Sequence, residues 1–131
     1  MKVVAFQSAK RLASMIRRRK LGCLELLDHY LARVERFNPA LNAIVETCIT
    51  AARDQARAAD AALSRGEVWG QLHGVPMTIK DSLDTEEVVT TGGTTGRANF
   101  VPEHDSTVVA RLRAAGAVLM GKTNTPEPVS Y

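Results

Sequence analysis

Apolar residues recur at helical spacing through the first half of the chain. Ala9, Leu12 and Ile16 stand at i, i+3 and i+7 behind Ser8, whose hydroxyl can accept a backbone N–H, and together they predict a first helix. Leu24, Leu27, Leu31 and Val34 form a longer stripe that should end near Phe37 to Pro39. The run Leu41 to Val45 predicts a short strand. Beyond it, Ala52, Ala56, Ala59 and Leu63 share one face of an alanine-rich helix closed by Gly66, and such small side chains permit close approach to a neighbour.

The second half changes period. Val75 to Lys80 alternates between Gly74 and polar Asp81-Ser82 and predicts a strand, whereas "TTGGTTG", Thr90 to Gly96, predicts a loop. A further helix should be capped by Asp105 or Ser106, bury Val108, Val109, Leu112 and Ala115, carry Arg111 and Arg113 near its end, and stop at Gly116. "AVLM", Ala117 to Met120, then reads as a buried strand. This order predicts an α/β protein: N-terminal helices followed by part of a mixed β-sheet flanked by helices. No repeat or linker divides the chain, so one domain is expected.

Composition narrows the class. With 131 residues, 45% of them hydrophobic, the chain can bury one core and is not of disordered type. Its apolar runs are far shorter than a membrane span of about 18 residues or a secretory h-region of about 7, so a soluble, cytoplasmic protein with no membrane partner is expected. Cys23 and Cys48 have neither zinc-ligand spacing nor a second pair. Charge is uneven, with 12 Lys/Arg against 7 Asp/Glu in residues 1 to 70, and 5 against 7 thereafter. The densest basic run, Arg17 to Lys20, falls at a predicted helix end without interleaved aromatics, which favours a solvated helix terminus over a nucleic-acid surface.

"GAVLMGKTN", Gly116 to Asn124, matches the phosphate-loop pattern literally. The context argues against that meaning. Gly116 ends a helix where a phosphate loop needs a strand to have just finished, the residues inside the supposed loop are themselves a strand, and Pro126 would break the helix that must follow Lys122. Gly121-Lys122-Thr123 is therefore read as the polar exit of a buried strand.

The lysine of interest is Lys80. Alternation sets Val75, Met77 and Ile79 on one face and Thr78 and Lys80 on the other, with Lys80 at the strand's C-terminal end, where open α/β sheets bind ligands. To act as a base near pH 7 a lysine must be brought from about 10.4 to about 7 to 8. A touching carboxylate would oppose this; alternation directs Asp81 away, while Asp84 stays a candidate partner. From the residues alone, a structural ion pair is the favoured role of Lys80 and general base the alternative. His29, His73 and His104 lack catalytic or metal-ligand spacing and are read as structural or solvated.

"LHGVPMTIKDSLDT" (Leu72 to Thr85), "TTGGT", "PEHDSTVVARLRAAGAVLMGKTN" and "PE", in this order and spacing, resemble the front part of the amidase signature family, and the likeness runs from about Leu12 to Tyr131. The resemblance implies an incomplete amidase signature fold and a Ser-cis-Ser-Lys site that hydrolyses amide C–N bonds through an acyl-enzyme, with no metal or organic cofactor. Lys80 matches the catalytic lysine. Both serines belong to a Gly/Ser-rich segment of the family that this sequence does not contain. Ser82 and Ser130 lack glycine neighbours that would form an oxyanion site. Ser82 also stands where the family often has Asn, and Pro128 where an aromatic is common. Residues 1 to 131 are thus expected to be the N-terminal portion of a single amidase domain, truncated before the nucleophile segment and inactive alone. A small-molecule amide would be the substrate of the complete enzyme, and the fragment is expected to self-associate through exposed apolar faces. The alternatives are a non-catalytic α/β binding or interaction module, or a fragment of a glutamine-amidotransferase-type subunit.

Overall fold

The computed structural model describes residues 4 to 126, so the readings attached to Pro128 and Ser130 lie outside the described residues. Helix α1 spans Ala9–Arg17, with the Ser8 hydroxyl accepting from the Arg11 N–H at 3.1 Å. Leu12, Ala13 and Ile16 are buried, whereas Ala9 is exposed in the first turn, so Ala13 occupies the interior place expected of Ala9.

Helix α2, Cys23–Leu41, runs past its expected end and contains Pro39. A proline removes one helical N–H, but here the residues around the lost bond, Glu35 included, face water. Termination falls instead to Asn42, which is left-handed at φ 49° and donates to the Asn38 carbonyl at 2.7 Å. The Asn38 side chain works like a strand partner, accepting from the Ile44 N–H at 2.8 Å and donating to the Ile44 carbonyl at 2.9 Å. Strand β1 consequently starts late, as Ile44–Thr47 rather than at Leu41.

Helix α3, Ile49–Ser64, buries Ala52, Ala56, Ala59, Ala62 and Leu63 and is followed by left-handed Gly66, as the alanine pattern predicts. It packs on α2, and each helix end is satisfied from the other side. Gly22 offers no capping side chain, so the Asp60 carboxylate of α3 receives the Cys23 and Leu24 N–H groups at 2.7 and 3.2 Å. Arg19, from the basic run, donates to the Leu63 carbonyl in the last turn of α3, and Arg17 donates to the Gln71 carbonyl at 3.2 Å. Within that run, Arg19 serves a helix end and Arg17 a turn.

Strand β2 is Pro76–Lys80, helix α4 is Thr107–Ala114, and strand β3 is Val118–Thr123. The sheet order is β1-β3-β2, with β3 parallel to β2 and antiparallel to β1, which makes the sheet mixed as expected. One face carries Val75, Val118 and Met120 against α1, α2 and α3; the other carries Ile79 and Leu119 against Val109 of α4, Leu83 and Val88. Only Val109 of the expected α4 face is fully buried, while Val108 is 52% exposed. Gly116 ends α4 with φ 98°, and a β-carbon there would come within 2.8 Å of His73 Cα. The phosphate-loop reading is excluded by the same geometry, since Val118–Thr123, Lys122 included, is strand.

Candidate active site around the end of strand β2

Lys80 is the last residue of β2 and is exposed at the C-terminal rim. Its register partner on β3 is Thr123, and Thr78 pairs with Gly121, so these residues share one face of the sheet. Gly121 is required there because a β-carbon would meet the Glu46 carbonyl oxygen at 2.7 Å. On this face, two residues before Lys80, opens an apolar cavity of about 350 Å³ lined by Pro76, Met77 and Thr78 of β2, Ile44 of β1, and Tyr30 and Phe37 of α2.

Immediately after Lys80 the chain turns. Asp81 donates its N–H to the Thr123 carbonyl at 2.9 Å and accepts from the Gly92 N–H, also at 2.9 Å. Its carboxylate, 2% exposed, receives the Thr91 N–H at 3.2 and 3.3 Å and the Thr91 hydroxyl. A second cavity of about 350 Å³ begins here, bounded by Asp81, Thr91, Gly93, Thr94 and Asn124. Gly92 and Gly93 both adopt positive φ, at 64° and 82°, as the loop reading of this stretch requires. At Gly93 a β-carbon would lie 2.7 Å from the Pro126 carbonyl oxygen, so the loop and the exit of β3 are in direct contact.

The residue that sequence reasoning missed is Lys122. It is not the polar exit of β3 but an interior residue of that strand with no exposed surface. Its Nζ donates to the Leu83 carbonyl and to the Thr90 hydroxyl, each at 2.8 Å, and stands 3.8 Å from Asp81 Oδ1. Thr90 accepts this bond while donating its own hydrogen to the Val88 carbonyl at 3.0 Å. Burial pushes the Lys122 ammonium below the usual lysine range, against the opposing pull of Asp81 and then Asp84.

A bulge explains its direction. Met77 pairs with Leu119 and Thr78 with Gly121, so Met120 is an extra residue on β3 and the alternation shifts by one. Leu119 and Lys122 therefore face the same side, the side of Ile79, which is the register partner of Lys122. The available clue was length, because a four-residue strand at Ala117 to Met120 is shorter than the common five or six.

The remaining candidates settle into structural roles. Asp84, the suspected partner of Lys80, lies 3.4 Å from Arg97 in a half-exposed pair. Asp105 joins Arg113 at 3.2 Å and accepts from the Glu86 N–H at 2.7 Å, while Ser106 takes the cap position of α4 without a side-chain cap bond. His73 is fully buried, accepting from the Trp69 N–H at Nδ1 and facing the Ala59 carbonyl from Nε2, both at 2.9 Å. Ser82 is exposed in the turn after Lys80. Among the described residues, no three His, Cys, Asp or Glu side chains come together as a metal site, and no helix is long and apolar enough to cross a membrane.

Comparison with known proteins places these elements in a family. The family model described as Amidase matches residues 25 to 130. The putative amidase AmiD of Mycobacterium tuberculosis is 46% identical over 110 residues, which are 84% of this chain and 23% of that protein. A glutamyl-tRNA(Gln) amidotransferase subunit of Methylococcus capsulatus is 44% identical over 116 residues, covering 88% of this chain and 24% of that one. Among solved structures, an amidase superposes with a TM-score of 0.82 at 35% identity, over 90% of this chain and 27% of its own. Fatty acid amide hydrolase superposes with a TM-score of 0.88 at 25% identity, over 95% and 22%. The chain thus spans about a quarter of the length of the curated relatives it matches.

Proposed function

The chain belongs to the amidase family, and from that premise we propose that Lys80 is the general base of amide-bond hydrolysis by a serine acyl-enzyme route. The observation that carries this reading is the place of Lys80, exposed at the C-terminal end of β2, where an α/β sheet receives a substrate. Residues to either side of it in the chain line separate cavities, Thr78 one and Asp81 the other.

In the proposed reaction a serine oxygen attacks the amide carbonyl. Its proton passes to a second serine, whose own proton passes to the Lys80 amine. The C–N bond then breaks as the same relay returns a proton to the leaving nitrogen, and water releases the acid from the resulting ester. The two serines are proposed to lie in protein sequence outside residues 1 to 131, and these residues alone to form no acyl-enzyme. No metal or organic cofactor enters this scheme.

A serine-directed fluorophosphonate tests both parts: in the longer protein that carries this sequence, Lys80→Ala should label far more slowly than wild type. The 131-residue chain should take up no label and release no amine from simple amides, whereas labelling or turnover lost on Lys80→Ala would overturn the proposed incapacity. A glutamine-dependent amidotransferase role is the second reading, favoured by the 44% identity to a protein of that kind. Ammonia released from glutamine in preference to other amides would support it over general amide hydrolysis.

A further inference from the structure

The geometry points to Lys122 as a positioning residue that fixes the end of β2, and so the placement of Lys80, by fastening the loop that leaves that strand; this rests on the reading of Lys80 as the base.

Residues 81 to 91 leave β2 directly after Lys80 and come back beside Asp81. The Lys122 ammonium grips both limbs of this excursion, through the Leu83 carbonyl on the outgoing limb and the Thr90 hydroxyl on the returning one, each at 2.8 Å. It also faces the Asp81 carboxylate at 3.8 Å, close enough for attraction but too long for a hydrogen bond. Thr91 binds that carboxylate from the returning limb, and the Leu83 N–H donates back to the Lys80 carbonyl at 3.0 Å. Both of these links between the loop and the strand end pass within one residue of a Lys122 contact.

A lysine is an expensive way to fill this space. Ile79 and Leu119 are its neighbours on the sheet face, and an apolar side chain would pack there without the cost of burying an ammonium. What an apolar residue would not do is hold two loop limbs at a set distance from β3. Lys122 lies on the face opposite Lys80, so it acts through the backbone of Asp81 and touches no substrate.

The rate of fluorophosphonate labelling of the protein that carries this sequence, separated into a maximal rate and a half-saturating concentration, decides the matter. Lys122→Met is expected to lower the maximal rate about 10- to 100-fold with the half-saturating concentration within about twofold, because a small misplacement of a reacting group costs rate before it costs binding. Thr90→Val, which keeps the shape and removes one acceptor, should lower it by a few-fold, and it decides the question if Lys122→Met does not fold. Ser8→Ala, a destabilising change at the cap of α1, should leave the rate unchanged. If Lys80→Ala is slow while Lys122→Met and Thr90→Val label at the wild-type rate, the positioning role is wrong and the base assignment stands. If Lys80→Ala labels as fast as wild type, or wild type does not label, the base assignment fails and takes this inference with it.

Discussion

Gly74 lies so close against Cys23 that a β-carbon on the glycine would come within 2.2 Å of the thiol sulfur. Gly74 also has a φ of 73° and opens the path into β2, so the N-terminus of α2 sets where the strand bearing Lys80 begins. Gly74→Ala should cost about 2–4 kcal/mol, from left-handed strain and overpacking together. In the Cys23→Ala background the same change should cost about 1 kcal/mol less, since the sulfur is gone and the strain remains. Urea midpoints of the four proteins measure this, and strictly additive losses would show that the contact is relieved elsewhere.

Asp60 is a helix-interior residue that caps a different helix. Asp60→Ala leaves the Cys23 and Leu24 N–H groups without their acceptor and should lower stability by about 1–2 kcal/mol. Asp60→Asn keeps an acceptor oxygen and should recover about half. Thermal unfolding separates the two, and equal melting temperatures for Asp60→Ala and wild type would remove Asp60 from this role.

Lys122 titrates lower in the folded chain than in the unfolded chain, where the ordinary 10.5 applies. The unfolded chain therefore holds this proton more tightly, and the ionised lysine weakens folding at every pH below its folded value. As pH rises through that value this penalty fades, and it is gone above 10.5. The urea midpoint of wild type should accordingly gain on that of Lys122→Met between pH 7 and about pH 10. Parallel curves would contradict a shift in Lys122.

The two thiols should differ in reactivity. Burial pushes Cys23 up to about 12, with the Asp60 carboxylate adding to the effect, whereas half-buried Cys48 is raised by burial and by Glu46. At pH 8 about one Cys23 in ten thousand is thiolate, so a maleimide should modify Cys48 first and Cys23 only on denaturation. Peptide mapping after partial labelling reads the order directly, and equal rates would mean that the α2 N-terminus opens freely.

Local signals gave the helix ends that depend on one residue. Ser8, Gly66 and Gly116 each do what their chemistry predicts, and so does the period-two pattern that sets Lys80 opposite Ile79. What sequence reasoning lost depends on solvation of single positions or on partners far along the chain. Pro39 is tolerated because its surroundings are solvated and Asn42 ends the helix instead. The interior position of Lys122 requires the Met120 bulge, which comes from pairing with β2, and the acceptors Leu83 and Thr90, about forty and thirty residues earlier. Val108 could not be assigned to the outside from periodicity alone, because both it and Val109 fit an apolar stripe.

The order β1-β3-β2 has a temporal consequence. Residues 44–47 and 76–80 meet no sheet neighbour among the described residues until 118–123 arrive between them. On the ribosome the three leading helices have their mutual contacts already in hand, while both outer strands wait for the last one to emerge. The rim bearing residue 80 then takes shape only after residues 118–123 have emerged, and slow translation of the stretch between 81 and 117 would lengthen the interval in which those two edges stay open to misassembly.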